Sequence, residues 1–382
     1  MLISKKLTAI TNLLILVFFF PTVGSAQLSE NEVIQFLPSK SVAVVNLNIE
    51  AVLESLGDDA DLLEKFRQRK SASLLDFTEV KQRLMVLFDA ESDELTPLDS
   101  PFLMFDRFAD EVDRTTFLES ANKQNPEIMI YEPITFDGED LLVGKYQIDF
   151  GGITPSESAF FFPKEDMVAL GSLPVIKILL KKQPQNEEVP EFTIDLDLEA
   201  EFHLILVGGE KLTRISSFAP FLEALKLSAT SITPEGVDLI DVFEALERLE
   251  VRFDSGQMTP LDISLRFNSD QPAGQVEQLI NMGLQAAPAL FAMLEAEPVP
   301  SGLDDDFALL IDLVKRSHKD LQVERDGSTI EIKLAGVDGL DKLPAQIARF
   351  VMRQQMNIDE LKSQFDAVEV ELDLMADEDD DQ

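Results

Sequence analysis

Residues 321–334 read LQVERDGSTIEIKL, the clearest indication of fold class in the sequence. Apolar side chains alternate with polar ones on both sides of Asp326-Gly327, at Leu321, Val323, Ile330, Ile332 and Leu334. A period of two predicts strands that have one face in water. Asp-Gly suits the positive φ angles of a tight hairpin turn. The stretch therefore predicts a β-hairpin within an antiparallel sheet.

The first half of the chain contains a hairpin of the same kind, in which 128–136 and 141–148 flank Asp137-Gly138. Other elements repeat upstream, and Phe105 and Leu265 lie 160 residues apart in equivalent strands. The repeated elements are the strands 42–47 and 202–207, followed by the helices 49–56 and 210–218, and the strands 102–108 and 262–267, each followed by a helix. This shared order predicts an internal duplication.

The two Asp-Gly hairpins are 189 residues apart, so the second half must hold a longer helical stretch before its hairpin. From Val276 to Leu294 one helical face stays apolar, and we expect Pro288 to kink or split this helix. A second helix follows, with Asp304 to Asp306 at its N-terminal end, where acidic residues are favourable.

Each half is predicted to close with a helix and an acidic strand. These are 173–182 with 193–202 in the first half, and 343–351 with 368–374 in the second. The first half adds a hairpin of 159–162 and 167–170. The predicted fold class is α+β, with two tandem similar halves, each a largely antiparallel sheet with helices on one face. The expected boundaries are a signal peptide (1–26), a first half (27–183), a linker (184–191), a second half (192–375) and an acidic disordered tail (376–382).

The N-terminus has the order of a secretory signal. Lys5 and Lys6 precede an apolar core at 13–20, and the small residues Gly24-Ser25-Ala26 follow. The core is far shorter than the roughly 20 residues that span a bilayer. We therefore expect cleavage after Ala26, export to the periplasm or the exterior, and no stable membrane insertion afterwards.

Residues 37–45, LPSKSVAVV, and the strand, helix and Asp-Gly hairpin order of both halves resemble uncharacterised exported proteins of planctomycete-type bacteria. The resemblance implies a signal peptide, a duplicated α+β body and no disulfide framework. It implies no established activity, so it assigns no functional residue.

Composition excludes several classes of function. Lys and Arg total 32 against 71 Asp and Glu, a net charge of −39, which argues against nucleic acid or an anionic membrane as a partner. The absence of Cys excludes disulfides, thiolate metal sites and Cys nucleophiles. The two histidines, His203 and His318, are far apart in sequence and lie in no metal or catalytic motif, which favours a core or surface role for each.

The stretch from Thr193 to His203 alternates apolar and acidic residues. As a strand, it would place Asp195, Asp197, Glu199 and Glu201 in a row on one face. Hard cations bind carboxylate oxygens, so this row is a candidate calcium site. The alternative, which we favour, is that like charges on an exposed strand prevent pairing between molecules.

No catalytic motif accompanies these features, and no cofactor is expected apart from the possible calcium. The leading hypothesis is an exported, non-enzymatic binding or structural protein that contacts an unknown protein partner through acidic sheet surfaces. The alternatives are a calcium-stabilised envelope module and an exported hydrolase that uses carboxylates in a cleft between the halves.

Overall fold

The computed structural model describes residues 37, 41–50, 80–88, 102–124, 126–147, 157–182, 195–213, 239–254, 257, 259–296 and 304–334. The strands are β1 (Ser41–Asn48), β2 (Val80–Phe88), β3 (Phe102–Phe108), β4 (Met129–Phe136), β5 (Glu139–Tyr146), β6 (Ser158–Lys164), β7 (Met167–Ser172), β8 (Phe202–Val207), β9 (Leu246–Phe253), β10 (Leu261–Phe267), β11 (Leu321–Asp326) and β12 (Thr329–Leu334). The helices are α1 (Arg114–Gln124), α2 (Leu173–Lys182), α3 (Gly209–Thr213), α4 (Leu239–Glu244), α5 (Asp270–Ala296) and α6 (Asp304–Asp320).

All of these strands belong to one 12-stranded sheet, in the order β11-β12-β10-β9-β8-β1-β2-β3-β7-β6-β5-β4. Every neighbouring pair is antiparallel. The α+β class with a large antiparallel sheet is therefore confirmed. The strands before the linker and those after it form two contiguous groups, and the pairing of β1 with β8 joins them.

In the first group, β5 and β6 are apolar on both faces. Leu141 and Phe161 pack with α2, whereas their neighbours Leu142 and Phe160 pack with Phe117 of α1. Consecutive side chains of a strand point to opposite faces, so α1 and α2 cover opposite faces of the sheet. This differs from the expected single layer of helices, because β5 and β6 are too apolar to leave either face in water.

The second group of strands has one apolar face, and α4, α5 and α6 pack against it through Val242, Ala273 and Leu313. The other side of β9 to β12, which we call the wet face, carries the polar side chains of these strands, whereas on β8 the same side holds the buried His203 and Ile205. Its charged members are Arg248, Glu250, Arg252, Asp262, Arg266, Glu324, Asp326, Glu331 and Lys333. The sheet with one wet face predicted from 321–334 is thus present in this half.

The two Asp-Gly hairpins form with different turns. Asp137 and Gly138 both have positive φ, 51° and 89°, and are the two central residues between the paired Phe136 and Glu139. In the second hairpin the paired residues are Asp326 and Thr329, so the central residues are Gly327 and Ser328, and only Gly327 has positive φ. Asp137 is therefore the first central residue of its turn, whereas Asp326 is the last paired residue before its turn.

Helix α5 continues through Pro288, so of the two predicted effects, a kink or a split, the split is wrong. Proline has no backbone N–H, which leaves the carbonyl of Leu284, four residues earlier, without its usual helical donor. His318 of α6 fills this place, since its Nε2 lies 2.8 Å from the Leu284 oxygen. The histidine therefore fastens α6 to α5 at the proline.

The strand predicted from Thr193 to His203 is wrong over 195–201, which form a bent segment before β8 begins at Phe202. Leu196, Leu198 and Ala200 are buried, as the alternation required. The backbone carbonyls of Asp197, Leu198 and Ala200, however, accept hydrogen bonds from the Asn46 side chain rather than from a strand. The strands β2 and β9 were not predicted.

Several predicted features lie outside the described residues. These are the signal peptide (1–26), the linker (184–191), the closing helix near 343–351, the acidic strand at 368–374 and the tail (376–382). The helices predicted at 49–56 and 210–218 are described only in part. The helix 173–182 and the hairpin of 159–162 with 167–170 are confirmed as α2 and the β6–β7 pair.

A close backbone approach makes Gly209 hard to replace. A Cβ there would lie 1.8 Å from the carbonyl oxygen of Phe243. We expect Gly209→Ala to lower the free energy of unfolding by about 1–3 kcal/mol, because α3 and α4 must separate. Gly283→Ala is the matched control, since a Cβ on this helical residue meets nothing within 4 Å. It should raise the free energy of unfolding by up to about 1 kcal/mol. Urea unfolding measures both variants. Equal changes in the free energy of unfolding would contradict the close approach of Gly209 to Phe243.

Candidate functional site

Three polar side chains lie buried at the centre of the sheet, where the two groups of strands meet. Asn46 of β1, Gln82 of β2 and His203 of β8 are 0%, 7% and 1% exposed. Asn46 pairs directly with His203 across the β1–β8 contact. Together with Glu250 of β9 we call these residues the central polar cluster. Buried polar groups at this depth need hydrogen-bond partners.

The partners of Asn46 and Gln82 come mostly from segment 195–201. The Asn46 Nδ2 group donates to the carbonyls of Asp197, Leu198 and Ala200 at 3.1, 3.2 and 3.2 Å. Gln82 Nε2 donates to Asn46 Oδ1 at 2.8 Å and to the Leu198 carbonyl at 3.2 Å. The cluster therefore ties the bent segment onto the sheet, where a strand ladder would otherwise have satisfied these carbonyls.

His203, on the same face of the sheet as Asn46, also holds this segment. The backbone N–H of Asp197 donates to His203 Nδ1 at 2.7 Å, so this nitrogen must carry a lone pair. The proton then resides on Nε2, which lies 3.1 Å from Glu250 Oε1. Burial lowers the pKa of His203, and the charge of Glu250 opposes that effect only in part. A neutral imidazole is thus part of the folded structure.

This geometry predicts a pH-dependent stability. Because the folded pKa of His203 lies below its unfolded value of 6.5, the unfolded chain binds more protons as the pH falls from 6.5 towards the folded pKa. Stability is complete above this window and decreases through it, by at most about 1.4 kcal/mol per pH unit. We expect His203→Gln to remove this contribution to the slope of unfolding free energy against pH.

Urea unfolding between about pH 5.5 and 7.5 measures the slope in the range where histidine titrates. His318→Gln is the control, because His318 contacts the Leu284 carbonyl through Nε2 alone and an amide side chain can also donate to that oxygen. An unchanged slope in His203→Gln would contradict the assignment.

The four carboxylates of the predicted calcium site do not form a row. Asp195 is exposed, and Arg248 Nη1 donates to its Oδ2 at 2.7 Å. Asp197 Oδ1 accepts the backbone N–H groups of Glu199 and Ala200, both at 3.0 Å, and its Oδ2 lies 2.8 Å from Arg252 Nη2. Arginine guanidinium groups thus face two of the four proposed ligands.

The other two proposed ligands do not complete a cation site. Glu199 is exposed, and the backbone carbonyl of Glu201 accepts the N–H of Asn48 at 3.2 Å. Within the described residues, no group of three or more His, Cys, Asp or Glu side chains is placed to hold a metal ion. The calcium hypothesis stays a prediction. A cation bound there would have to displace the guanidinium groups of Arg248 and Arg252 from Asp195 and Asp197.

The arrangement offers little for acid–base chemistry. Both ring nitrogens of His203 are engaged inside the fold, one by Asp197 N–H and the other by Glu250. The second oxygen of Glu250 accepts a hydrogen bond from Arg248 Nη2 at 2.7 Å. Where the two groups of strands meet, β1 and β8 are paired. The carboxylates of 195–201 therefore lie over a continuous sheet. The chemistry of the cluster is to hold a segment in place.

Sequence reasoning missed most of this cluster, although signals were present. Asn46 and Asn48 interrupt the apolar run of β1, and a polar side chain in a buried strand needs a hydrogen-bond partner. In β9, LERLEVRF, Arg248, Glu250 and Arg252 alternate with Leu249, Val251 and Phe253, a period of two that predicts a half-exposed strand. What the sequence did not contain was the identity of the partners, which lie more than 150 residues from Asn46.

Comparisons with known proteins give little further guidance. No family model matches the chain, and no curated protein matches it significantly. Among solved structures, it is similar to crystal form I of TP0453, at 8% identity and a TM-score of 0.37, over 83% of this chain and 96% of that chain. A likeness this low leaves the function to be argued from the residues themselves, and the resemblance to planctomycete-type exported proteins stays a prediction.

Proposed function

We propose that the chain is an exported, non-enzymatic binding or structural protein that contacts a protein partner through the wet face. The observation that carries this proposal is that the charged side of β10, β11 and β12 is covered by none of α4, α5 and α6, whereas segment 195–201 lies over the β8 and β9 part of that side. Among the described residues, this part of the sheet face is available for a partner. The hydrophobic faces of the same strands are already used for the core.

The wet face differs from the acidic surface expected from sequence, because cations alternate with the acids. Arg266 lies 3.3 Å from Glu247, and Lys333 bonds to Glu331. Such exposed pairs contribute little to stability, so the charges are free to exchange partners on binding. Binding through this face should therefore be specific in charge pattern and weakened by salt.

Export is part of the same proposal, and the order of residues 1–26 supports it. Among the described helices, none combines the length and the apolar character needed to cross a membrane.

The test is site-specific photo-crosslinking in the native envelope. A photoreactive amino acid replaces Arg266, which is 56% exposed on the wet face, or Lys123, which is 78% exposed on α1 on the opposite face. We expect a discrete crosslinked protein from position 266, lost at high salt, and none from position 123. Equal crosslinking from both positions, or none from 266, would overturn the proposal. So would hydrolysis of a glycoside or ester panel by the purified chain.

A further inference from the structure

The second half of α5 is exposed on the side that faces away from α6. Its contacts with α6 involve Leu284 and Phe291, through the Leu284 carbonyl and a ring contact of 5.7 Å between Phe291 and His318. At 100° per residue, the opposite side of the helix carries the residues that we call the outer stripe. Its members are Met282, Ala286, Ala289 and Met293, all exposed.

Large apolar side chains stand in water on this surface. Met282 and Met293 are 39% and 65% exposed, and Leu290, beside the stripe, is 42% exposed. Between Glu277 and Glu295 the helix carries no charged residue. In a chain of net charge −39, an uncharged apolar surface of this length is unusual. Contiguous exposed apolar patches mark interaction sites.

The pattern of the outer stripe reads the same in both directions. Its spacings are four, three and four residues, with methionine at both ends and alanine at both central positions. A two-fold axis near 287–288 would bring Met282 onto Met293 of a second copy, and Ala286 onto Ala289. Isologous contacts require this kind of self-complementary surface, and small central side chains allow two helices to approach closely.

We propose that the outer stripe of α5 docks antiparallel against α5 of a second copy, forming a two-fold dimer. Two copies repel each other through their net negative charge, and the uncharged stripe is the contact that brings the fewest charges together.

The dimer uses a different surface from the proposed function. Helix α5 covers the apolar face of the sheet through Ala273, Val276 and Ile280, so the stripe lies on the opposite side from the wet face. Loss of the dimer would leave crosslinking from Arg266 intact, and a failure at the wet face would leave the dimer intact.

Disulfide trapping tests the register directly, because the chain has no cysteine of its own. Met282→Cys and Met293→Cys are oxidised separately and as a mixture. In the proposed dimer the two copies of residue 282 are about 16 Å apart along the helices, too far for a disulfide, which needs Cα atoms within about 7 Å. We expect a disulfide-linked dimer from the mixture only.

Leu309→Cys mixed with Met293→Cys is the control, since Leu309 is a 47% exposed apolar residue on α6. Crosslinking of the control as strongly as of the test pair, or of either single variant alone, would overturn the antiparallel register. No crosslink in any mixture would overturn the dimer.

Sedimentation of the purified chain provides a second measurement that needs no oxidation. The average mass should rise towards twice the monomer mass between low and high micromolar concentration. Met293→Glu should remain monomeric over the same range, whereas Leu309→Glu, which adds the same charge on α6, should still dimerise. A chain that stays monomeric throughout, or one whose stripe instead binds neutral lipid vesicles or its own residues 335–382, would contradict the proposal.

Discussion

Replacing Arg83 with methionine is expected to lower the free energy of unfolding by about 3–5 kcal/mol. Arg83 and Asp106 face each other across β2 and β3, with Nε to Oδ1 at 2.6 Å and Nη2 to Oδ2 at 2.8 Å. The Asp106 side chain is only 1% exposed. Without the guanidinium group, its carboxylate would be a buried charge with no cation to compensate it.

The double variant Arg83→Met/Asp106→Leu separates the cost of an unpaired charge from the worth of the pair. Replacing both partners of a buried ion pair with apolar residues is often nearly neutral, so the double variant should recover most of the lost stability. Lys123→Met, which removes an exposed pair with Glu119 on α1, should unfold like the natural chain. Urea unfolding measures all three, and a double variant as unstable as Arg83→Met would contradict the explanation.

The decrease in the free energy of unfolding caused by Arg83→Met should also depend on pH. Burial raises the pKa of Asp106 even in the natural chain, although the hydrogen bonds and charge of Arg83 oppose it. When the folded pKa of an acid lies above the unfolded value, the folded state binds more protons and stability increases as the pH falls. Removing Arg83 enlarges this difference, so the variant should lose less stability at pH 5 than at pH 8.

The fold was largely predictable because its signals are local. The strand β12 shows period two, α2 and α5 show helical spacing, and Asp137-Gly138 has the composition that its turn requires. The sheet order was not predictable, since the pairing of β1 with β8 joins segments more than 150 residues apart. The same distance separates Asn46 from the carbonyls that it binds.

Segment 195–201 shows why a correct pattern gave a wrong element. Leu196 and Leu198 are buried and Asp195 is exposed, as the alternation predicted. Alternation alone, however, does not say which group takes the backbone hydrogen bonds. The Asn46 amide bonds to the Leu198 carbonyl and the His203 ring accepts the Asp197 N–H. The chain therefore bends where a strand ladder was expected. The row of carboxylates, and with it the calcium geometry, depended on the ladder.

Asn46→Asp is expected to be about as damaging as the loss of Arg83, at about 3–5 kcal/mol, because it places an uncompensated charge in a buried site. The change is nearly isosteric, so packing is preserved. The amide that donates to the carbonyls of Asp197, Leu198 and Ala200 becomes a carboxylate oxygen, and acceptor then faces acceptor at about the same distances. Segment 195–201 should detach from the sheet or the chain should unfold.

The matched control is Asn268→Asp, the same substitution on an exposed residue whose side-chain oxygen only accepts a hydrogen bond from Ser269. It should change the free energy of unfolding by less than about 0.5 kcal/mol. Amide hydrogen exchange then locates the damage. The N–H of Asp197, which bonds to His203 Nδ1, should lose protection in Asn46→Asp and keep it in the control. Full protection at Asp197 in the Asn46 variant would show that the amide of Asn46 does not hold the segment, and that the bond to His203 is sufficient by itself.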